Sequence, residues 1–298
     1  MRVQVVTSLN GYGLSQDSNV LMRAFEVFGG IEAIVSDHKK PASGLRFDLN
    51  IFLEIINPAF FGHAARNVLV PNPEWLWQAW WPLIPRFSEV WCKTRDAEEI
   101  FRGRNRNVRY LGWTSRDRGQ EPQPWTRRLL HVAGDSVAKG TGQVIQAMRA
   151  LPEMHLTLVD KAQRTDLPDN VTRLERVSDQ ELDQLMCTHK IHLCPSSYEG
   201  FGHYINEARS ARAVIITTNA APMNELVSQD YGLGASVISS SRQNMATHKH
   251  VDHESLIHMV KLASNVSHPH LDAIGERARA AYLADRDSFH TNLKTALQ

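Results

Sequence analysis

One stretch of the sequence, residues 196–208, constrains the fold of this chain more than any other. It follows a short apolar run that a proline ends, and such a run predicts a buried strand. Gly200 and Gly202 then predict a loop, and apolar residues at helical spacing predict a helix from about His203 to Arg212. The chain is therefore expected to pass from a strand through a glycine loop to the N-terminus of a helix.

A glycine loop in front of a helix is suited to bind an anion. Backbone N–H groups and the positive end of the helix dipole point toward such a ligand, and glycines let the backbone approach it closely. Two carboxylates flank the loop, Glu199 at its tip and Glu207 within the helix. These features predict a ligand that carries hydroxyl groups beside a phosphate. The alternative is an ordinary strand-loop-helix crossover with two exposed acids.

The pattern Ser-x-Glu-Gly-Phe-Gly-x-x-x-x-Glu-Ala, which contains Glu199 and Glu207, resembles the nucleotide-sugar signature of the retaining GT-B glycosyltransferases of family 4. The resemblance implies that Glu199 contacts the donor sugar and that Glu207 binds the nucleotide ribose. It also implies that the loop amides meet the diphosphate and the sugar. The donor-binding residues implied in this loop are Gly200, Phe201, Gly202 and His203.

A second loop, residues 134–140, is similar to the Gly-Arg-x-x-x-x-Lys-Gly loop of the same family. Lys139 matches the lysine that binds the donor diphosphate, whereas Asp135 stands where the arginine is expected. A lysine directed at the leaving diphosphate would stabilise its developing charge, which gives Lys139 a catalytic role beside Glu199. A solvated lysine near a helix start is the alternative.

A third segment, residues 217–226, resembles the small-residue loop and Pro-x-x-Glu helix start that lie beside the donor in this family. It places Asn224 and Glu225 among the donor-binding candidates. Capping and packing are an equally good explanation for both residues.

Strands and helices alternate in short units along the chain, which predicts parallel, doubly wound sheets with right-handed crossovers. Residues 112–128 are rich in Gly, Ser, Gln, Pro and Arg and are predicted to form a linker. The expected fold class is α/β, with two Rossmann-like doubly wound domains facing a cleft, the GT-B arrangement. The expected divisions are an acceptor-side domain over 1–120, a nucleotide-sugar domain over 129–283, and a C-terminal helix over 284–298 that returns to the first domain.

The loop after the first predicted strand contains Gly11 and Gly13 but lacks the third glycine of the dinucleotide-binding fingerprint. Asp17 or Ser18 is predicted to cap the helix that follows. The resemblance implies that this loop faces the cleft, so Gly13 and Asp17 are acceptor-side candidates. At the opposite end of the chain, residues 270–298 are predicted to form two helices.

Residues 71–75 follow another predicted strand, and they make Asn72 and Glu74 acceptor-side candidates. No catalytic group of the first domain can be assigned from this region. Four tryptophans occur between Trp75 and Trp81. They predict either an aromatic platform for a sugar or base, or a helix that packs its indoles against the sheet.

The charge is nearly balanced, with 33 basic and 32 acidic residues, but residues 1–128 hold 17 basic against 13 acidic residues. Arginines near the end of the first domain, Arg104 and Arg106 among them, account for much of this excess. They predict either a solvated rim or a surface for an anionic acceptor, such as DNA or a phosphorylated lipid or glycan. The arginines of this group are Arg102, Arg104, Arg106, Arg109, Arg116 and Arg118.

A chain of 298 residues with 42% hydrophobic and 22% charged residues is expected to be a soluble two-domain protein. No apolar run approaches the roughly 18 residues that span a bilayer, and no signal peptide is recognised, so we expect a cytoplasmic location. The three cysteines lack metal-ligand spacing. His248, His250 and His253 lack an accompanying carboxylate or cysteine, so we expect no metal site.

The predicted activity is the transfer of a sugar from a nucleotide diphosphate sugar to an acceptor, with retention of configuration. The donor is a substrate, and no cofactor is expected. A nucleotide-sugar epimerase of the same fold is one alternative, although it needs further acids and histidines. A non-catalytic nucleotide-sugar-binding module is another.

Overall fold

The structure is a computed structural model of the chain, and it describes residues 1–8, 13–41, 44, 46–119, 121–134 and 136–298. The chain forms two compact units. The first unit comprises Met1–Ser115, Gln243–Ala246 and Asp285–Gln298, and the second comprises Arg116–Arg242 and Thr247–Ala284.

The first unit contains a six-stranded sheet. Its strands are β1 (Arg2–Thr7), β2 (Glu32–Asp37), β3 (Phe47–Leu53), β4 (Ala64–Val70), β5 (Glu89–Cys92) and β6 (Val108–Tyr110). They lie parallel in the order β2-β1-β3-β4-β5-β6. The direction in which successive strands are added reverses between β1 and β3, and ligands of such sheets bind at the carboxyl ends of the strands at this point.

Helix α1 (Gly13–Phe28) follows β1 and begins earlier than the sequence predicts. The prediction that Asp17 or Ser18 caps it is wrong, because both residues lie inside the helix and are buried. Each has a partner there: Asp17 pairs with Lys93, and the Ser18 hydroxyl donates to the carbonyl of Leu14 at 2.9 Å. Polar side chains that have hydrogen-bond partners within the protein can lie inside a helix, away from its N-terminus.

Helix α2 (Arg95–Arg102) follows β5. The Thr94 hydroxyl caps this helix by accepting a hydrogen bond from the backbone N–H of Ala97 at 3.1 Å. The unit also contains two 3-10 helices, Pro58–His63 and Gln78–Arg86.

The second unit contains another six-stranded parallel sheet. Its strands are β7 (Thr126–Gly134), β8 (Leu156–Asp160), β9 (Val171–Leu174), β10 (His189–Cys194), β11 (Val214–Thr218) and β12 (Gly232–Ala235). They lie in the order β12-β11-β10-β7-β8-β9, so the direction of strand addition reverses between β7 and β10. The two sheets confirm the predicted fold class of two Rossmann-like α/β domains.

Helices flank the second sheet, and a hairpin follows it. The helices are α3 (Thr141–Arg149), α4 (Asp179–Thr188), α5 (His203–Ser210) and α6 (His253–Ser264), and the hairpin strands are β13 (Val237–Gln243) and β14 (Ala246–Val251). Short 3-10 helices cover Val137–Lys139 and Met223–Glu225.

The chain ends in one helix, α7 (His268–Ala296), so the prediction of two helices in this region is wrong. Gly275 lies inside it. A Cβ atom on Gly275 would approach the carbonyl oxygen of Arg212 to 2.3 Å. The absence of a side chain at Gly275 therefore lets α7 pack closely against the backbone of Arg212, and the helix continues through this glycine.

The predicted linker has no helix or strand over residues 112–119 and 121–125. It ends three residues earlier than expected, because β7 starts at Thr126. None of the helices that the structure describes is both long enough and apolar enough to cross a membrane.

Candidate active site

The two glycine loops of the second unit follow neighbouring strands. Residues 136–140 come after β7, and residues 195–202 follow β10, the strand that pairs with β7 in parallel. Both loops therefore lie at the carboxyl edge of the sheet, at the point where strand addition reverses. This is where the open parallel sheets of α/β proteins bind their ligands.

Lys139 and Glu199 come from these two loops and form an ion pair. The Lys139 Nζ atom lies 2.6 Å from Glu199 Oε1, and both side chains are largely buried, at 16% and 12% exposure. The ammonium also lies 3.7 Å from the centre of the Tyr204 ring. The structure thus brings together the two residues that the sequence predicts as catalytic.

A hydroxyl group also holds the Glu199 oxygen that Lys139 contacts. The Ser196 hydroxyl donates to Glu199 Oε1, and it shares a 2.6 Å hydrogen bond with the Tyr204 hydroxyl. Burial raises the pKa of Tyr204 well above its ordinary value, so this phenol stays protonated. Burial also lowers the pKa of His131, on the neighbouring strand β7, to about 4, so this histidine adds no positive charge near Lys139.

The loop after β10 leads directly into α5, as predicted. Gly202 precedes the helix with φ at +95°, in the left-handed region that favours glycine. The N-cap residue of α5 is Gly202, which has no side chain to accept a hydrogen bond from the first turn. Phe201 is buried, and its ring meets that of His203 edge to face at 5.4 Å. Gly200 is buried in the same loop.

The two loops are packed directly on one another. The backbone N–H of Ser197 donates to the carbonyl of Ala138 at 2.8 Å. Gly140 has φ at +72°, and a Cβ atom there would lie 2.2 Å from the carbonyl oxygen of Pro195. Only glycine fits this contact, which holds the Lys139 loop against the Glu199 loop.

Glu207 lies in α5 and is almost completely buried. Its Oε2 atom accepts a hydrogen bond from Arg118 Nε at 2.8 Å. Its Oε1 atom has no partner in the part of the chain that the structure describes. Sequence reasoning did not find this contact, because Arg118 lies in the predicted linker, 89 positions away.

The other predicted donor-side residues lie after β11. Asn224 and Glu225 belong to the 3-10 helix Met223–Glu225 and are both exposed. The Asn224 amide donates to Asn219 Oδ1 at 3.4 Å, and the backbone N–H of Asn219 donates to the carbonyl of Ala235. Asp135, which stands at the expected arginine position, lies outside the described residues.

The carboxyl edge of the first sheet carries a second polar cluster. Lys93 Nζ lies 2.8 Å from Asp17 Oδ2, and both side chains are buried at 3% exposure. The Asn72 amide donates to Glu54 Oε2 at 2.7 Å, while Asn72 Oδ1 has no partner among the described residues. Desolvation raises the pKa of Glu54 to about 7, and Asn72 and Lys93 oppose this shift.

Sequence reasoning found Asp17 and Asn72 in this cluster but missed Glu54 and Lys93. Glu54 comes directly after β3, and Lys93 directly after β5. A polar residue immediately after a buried strand is the signal that identifies both. Glu54 also has φ at +63°, which is uncommon for a residue other than glycine and is not visible in the sequence.

Gly13 and Glu74 were the remaining candidates at this edge. Gly13 is the first residue of α1, and no described atom lies within 4 Å of the position of an added Cβ. Most of the loop before it, residues 9–12, lies outside the described residues. Glu74 is buried, and its carbonyl accepts a hydrogen bond from the Asn244 amide at 2.7 Å.

The tryptophan-rich segment fits neither of the two predictions fully. Trp77 is 63% exposed and stacks on Trp80 at 5.3 Å. Trp80 and Trp81 pack against the core of the first unit. An α-helix does not form here, since the 3-10 helix Gln78–Arg86 contains two prolines.

The prediction of a single arginine patch is wrong for two of its six members. Arg118 lies in the second unit and is buried between Glu207 and Asp183. Arg116 belongs to the same unit and pairs with Asp183 and with Asp179. These two side chains are held by carboxylates, so they are not available for an anionic ligand.

Carboxylates also accompany the arginines of the first unit. Arg102 and Arg109 lie 3.4 Å from Glu98 and Glu89, respectively. Arg106 lines an open groove of about 1200 Å³ that also contains four carboxylates. The Arg104 guanidinium donates to the carbonyl of Ile100. Arg102 and Arg109 are therefore paired with acids, whereas Arg104 is held by a backbone carbonyl.

His248 and His250 lie in β14, and His253 begins α6. Within the described ranges, no group of three or more His, Cys, Asp or Glu residues is arranged to hold a metal ion. His248 instead stacks on Tyr198 at 5.9 Å, and His250 shares a hydrogen bond with Ser241 at 3.1 Å.

Comparisons with known proteins agree with this arrangement. Sucrose-phosphate synthase from Thermosynechococcus elongatus is similar to the whole chain, with a TM-score of 0.76 at 12% identity over 99% of this chain and 98% of that one. The Anabaena protein HepE, in complex with UDP and glucose, has a TM-score of 0.76 at 15% identity over 100% and 99%. The chain has the GT-B fold.

Residues 118–252 of this GT-B chain match the family model of Glycosyl transferases group 1. The match covers somewhat less than half of the chain and includes Lys139, Glu199 and Glu207. A glycosyltransferase from Rickettsia africae ESF-5 is also similar in structure, with a TM-score of 0.74 at 12% identity over 99% of this chain and 97% of that one. Among curated proteins, none has a sequence that matches this chain.

Proposed function

We propose that this GT-B protein is a glycosyltransferase that moves a sugar from a nucleotide diphosphate sugar to an acceptor with retention of configuration, as family 4 enzymes do. The observation that carries the proposal is the meeting of Lys139 and Glu199, at 2.6 Å, beside the N-terminus of α5. A cation, a helix N-terminus and two acids at one sheet edge suit a ligand with both phosphates and hydroxyl groups. The family match over residues 118–252 supports it.

In this proposal the diphosphate binds where positive charge is available. Lys139 and the first-turn N–H groups of α5 stabilise the charge that develops on the departing diphosphate. Because these groups supply the positive potential, we propose that no metal ion or other cofactor takes part. Gly200, Phe201, Gly202 and His203 contribute backbone amides.

The two acids have separate roles in the proposal. Glu199 binds hydroxyl groups of the donor sugar, and Glu207 binds the ribose through its unpartnered Oε1 atom. Asn224 and Glu225 lie at the end of the next strand, β11, and are proposed to contact the donor from there. HepE, which shares the fold, has been solved with UDP and glucose, so UDP is the first nucleotide to test.

The acceptor is proposed to bind at the carboxyl edge of the first sheet, near Glu54, Asn72 and Asp17. An anionic acceptor such as DNA or a phosphorylated lipid or glycan would instead use Arg104 and Arg106. Binding of DNA at increasing salt concentrations separates these options. Affinity for an anionic polymer falls steeply with salt, with a log–log slope of about −0.9 for each phosphate that is contacted.

The proposal is tested by incubating the protein with UDP-glucose, ADP-glucose and GDP-mannose, with and without EDTA. A transferase slowly releases free sugar and nucleoside diphosphate even without an acceptor, an epimerase interconverts sugars, and a binding module does neither. The expected result is release that EDTA does not change. Anomeric configuration of the products, followed by NMR, tests retention.

Variants assign the roles. Lys139→Ala and Glu199→Ala should each lower turnover by about 100-fold, the usual effect of removing one group that stabilises a transition state. Glu207→Ala should mainly weaken donor binding, by about 1–3 kcal/mol. Arg149→Gln, which removes an ion pair with the exposed Asp166 and a hydrogen bond to its carbonyl, is the control. Wild-type turnover in the Lys139 and Glu199 variants would contradict the proposal.

A further inference from the structure

Arg118 is a buried arginine that joins two acids of the second unit. Its Nε atom donates to Glu207 Oε2 at 2.8 Å, and its Nη1 atom donates to Asp183. The side chains of Arg118 and Glu207 are only 4% and 5% exposed. Burial by itself lowers the pKa of Arg118, but Glu207 and Asp183 raise it above the ordinary value, so the guanidinium is charged.

The backbone of Arg118 is hydrogen-bonded to the helix that carries Glu207. The Arg118 N–H donates to the Ser210 hydroxyl at 3.0 Å, and that hydroxyl donates to the carbonyl of Glu207 at 2.7 Å. A Cβ atom on Gly119 would lie 2.5 Å from the carbonyl oxygen of Ser210. The backbone from which the Arg118 side chain extends is therefore fixed relative to α5.

The guanidinium is also fixed on its far side. Asp183, in α4, accepts from Arg118 through one carboxylate oxygen and from Arg116 through the other. The planar guanidinium directs its N–H groups in fixed directions, so a hydrogen bond on each side determines its orientation. Glu207 then meets a donor that cannot rotate freely.

This contact leaves Glu207 with one oxygen held and one oxygen open. Oε2 is engaged by Arg118, while Oε1 is buried without a partner among the described residues. A buried carboxylate oxygen without a hydrogen-bond donor is unfavourable, and a ligand hydroxyl that reaches it forms a strong, charge-assisted bond.

We propose that Arg118 is a positioning residue for the donor nucleotide: it fixes the Glu207 carboxylate so that Oε1 receives a ribose hydroxyl. This inference rests on the proposed function, in which Glu207 binds the ribose. Lysine cannot replace Arg118 in this role, because a single ammonium does not reproduce the two directed hydrogen bonds to Glu207 and Asp183.

The experiment measures affinities for UDP, 2′-deoxy-UDP and 3′-deoxy-UDP by calorimetry, with ADP and GDP in parallel. The ratio of deoxy to ribo dissociation constants isolates the ribose contact from the phosphates. Wild type should bind UDP about 10- to 100-fold more tightly than at least one deoxy analogue, the effect of one hydrogen bond to a charged group. In Arg118→Lys and Arg118→Gln this ratio should approach one.

Two controls accompany these variants. Arg149→Gln should keep the wild-type ratio, and Glu207→Gln should lose most of it. A role limited to folding would weaken all three ligands equally and leave the ratio unchanged, so an unchanged ratio in both Arg118 variants overturns the inference.

If the Arg118 variants do not fold, Asp183→Asn provides the second test. It leaves Arg118 in place and weakens the contact that orients the guanidinium from the far side. We expect the ratio to fall several-fold, and an unchanged ratio would again contradict the inference. A wild-type protein that binds no nucleoside diphosphate refutes the proposed function itself, which is a different outcome from intact discrimination in the Arg118 variants.

Discussion

Glu54 is a residue whose properties depend on its surroundings in the folded protein. It follows β3 with a left-handed backbone, accepts a hydrogen bond from Asn72, and lies near the buried Asp17–Lys93 pair. The groups that surround this carboxyl come from α1 and from residues that follow strands β4 and β5. Local patterns do not reveal such a cluster, because four separate chain segments create it.

The raised pKa of Glu54 predicts a pH-dependent stability. Its pKa is about 7 in the folded protein, whereas an unfolded chain has a value of about 4.3. The folded state therefore binds the extra proton between these values, and stability falls as pH rises from about 4 to about 7. The loss should be about 1–3 kcal/mol and should be absent in Glu54→Gln.

Chemical denaturation at pH 5 and pH 8 checks this prediction. The stability of wild type relative to Glu54→Gln should be greater at pH 5 than at pH 8. Glu99→Gln, at an exposed position in the same unit, is the control and should track wild type. Parallel pH dependence in wild type and Glu54→Gln would show that this carboxyl titrates normally.

At the scale of elements, glycine loops were easier to predict than helix boundaries. The strand, loop and helix around Glu199 occur as expected, because apolar runs, glycines and helical spacing are all local signals. The start of α1 and the continuity of α7 were not predicted. Asp17 pairs with Lys93 inside the fold, and Gly275 packs closely against the backbone of Arg212. The pairing of Arg118 with Glu207 also depends on the folded arrangement.

Gly140 gives a test of the contact between the two glycine loops. Its left-handed backbone and the 2.2 Å approach of an added Cβ to Pro195 make Gly140→Ala unfavourable. We expect a loss of about 2 kcal/mol or more in stability and weaker nucleotide binding, because Lys139 directly precedes Gly140 in this loop. Gly142→Ala is the matched control, since its added Cβ would have no described neighbour within 4 Å outside the adjacent residues and its own helix backbone.

The control should be neutral or slightly stabilising, because alanine is favoured over glycine within a helix by about 1 kcal/mol. Thermal unfolding and UDP titration of both variants supply the comparison. Equal behaviour of Gly140→Ala and Gly142→Ala would show that the contact with Pro195 is not required for the site.

At the scale of the whole molecule, each unit carries a parallel sheet with a polar cluster at its carboxyl edge. Alternating strands and helices were sufficient to predict both sheets, because hydrophobic burial determines that pattern. The acceptor-side chemistry was less predictable, since Arg102, Arg109 and Arg118 of the predicted arginine group pair with acids in the folded chain. We propose that the second unit binds the nucleotide and that the first unit binds the acceptor.

The affinity for UDP in variants of the two units tests this assignment most directly. Lys139→Ala and Glu207→Gln in the second unit should each weaken binding by about 10- to 100-fold, as expected for a lost charged hydrogen bond. Glu54→Gln in the first unit should bind UDP within about 2-fold of wild type, because the nucleotide is proposed to bind at the sheet of the second unit. Wild-type affinity in both second-unit variants, or a loss confined to Glu54→Gln, would contradict the account.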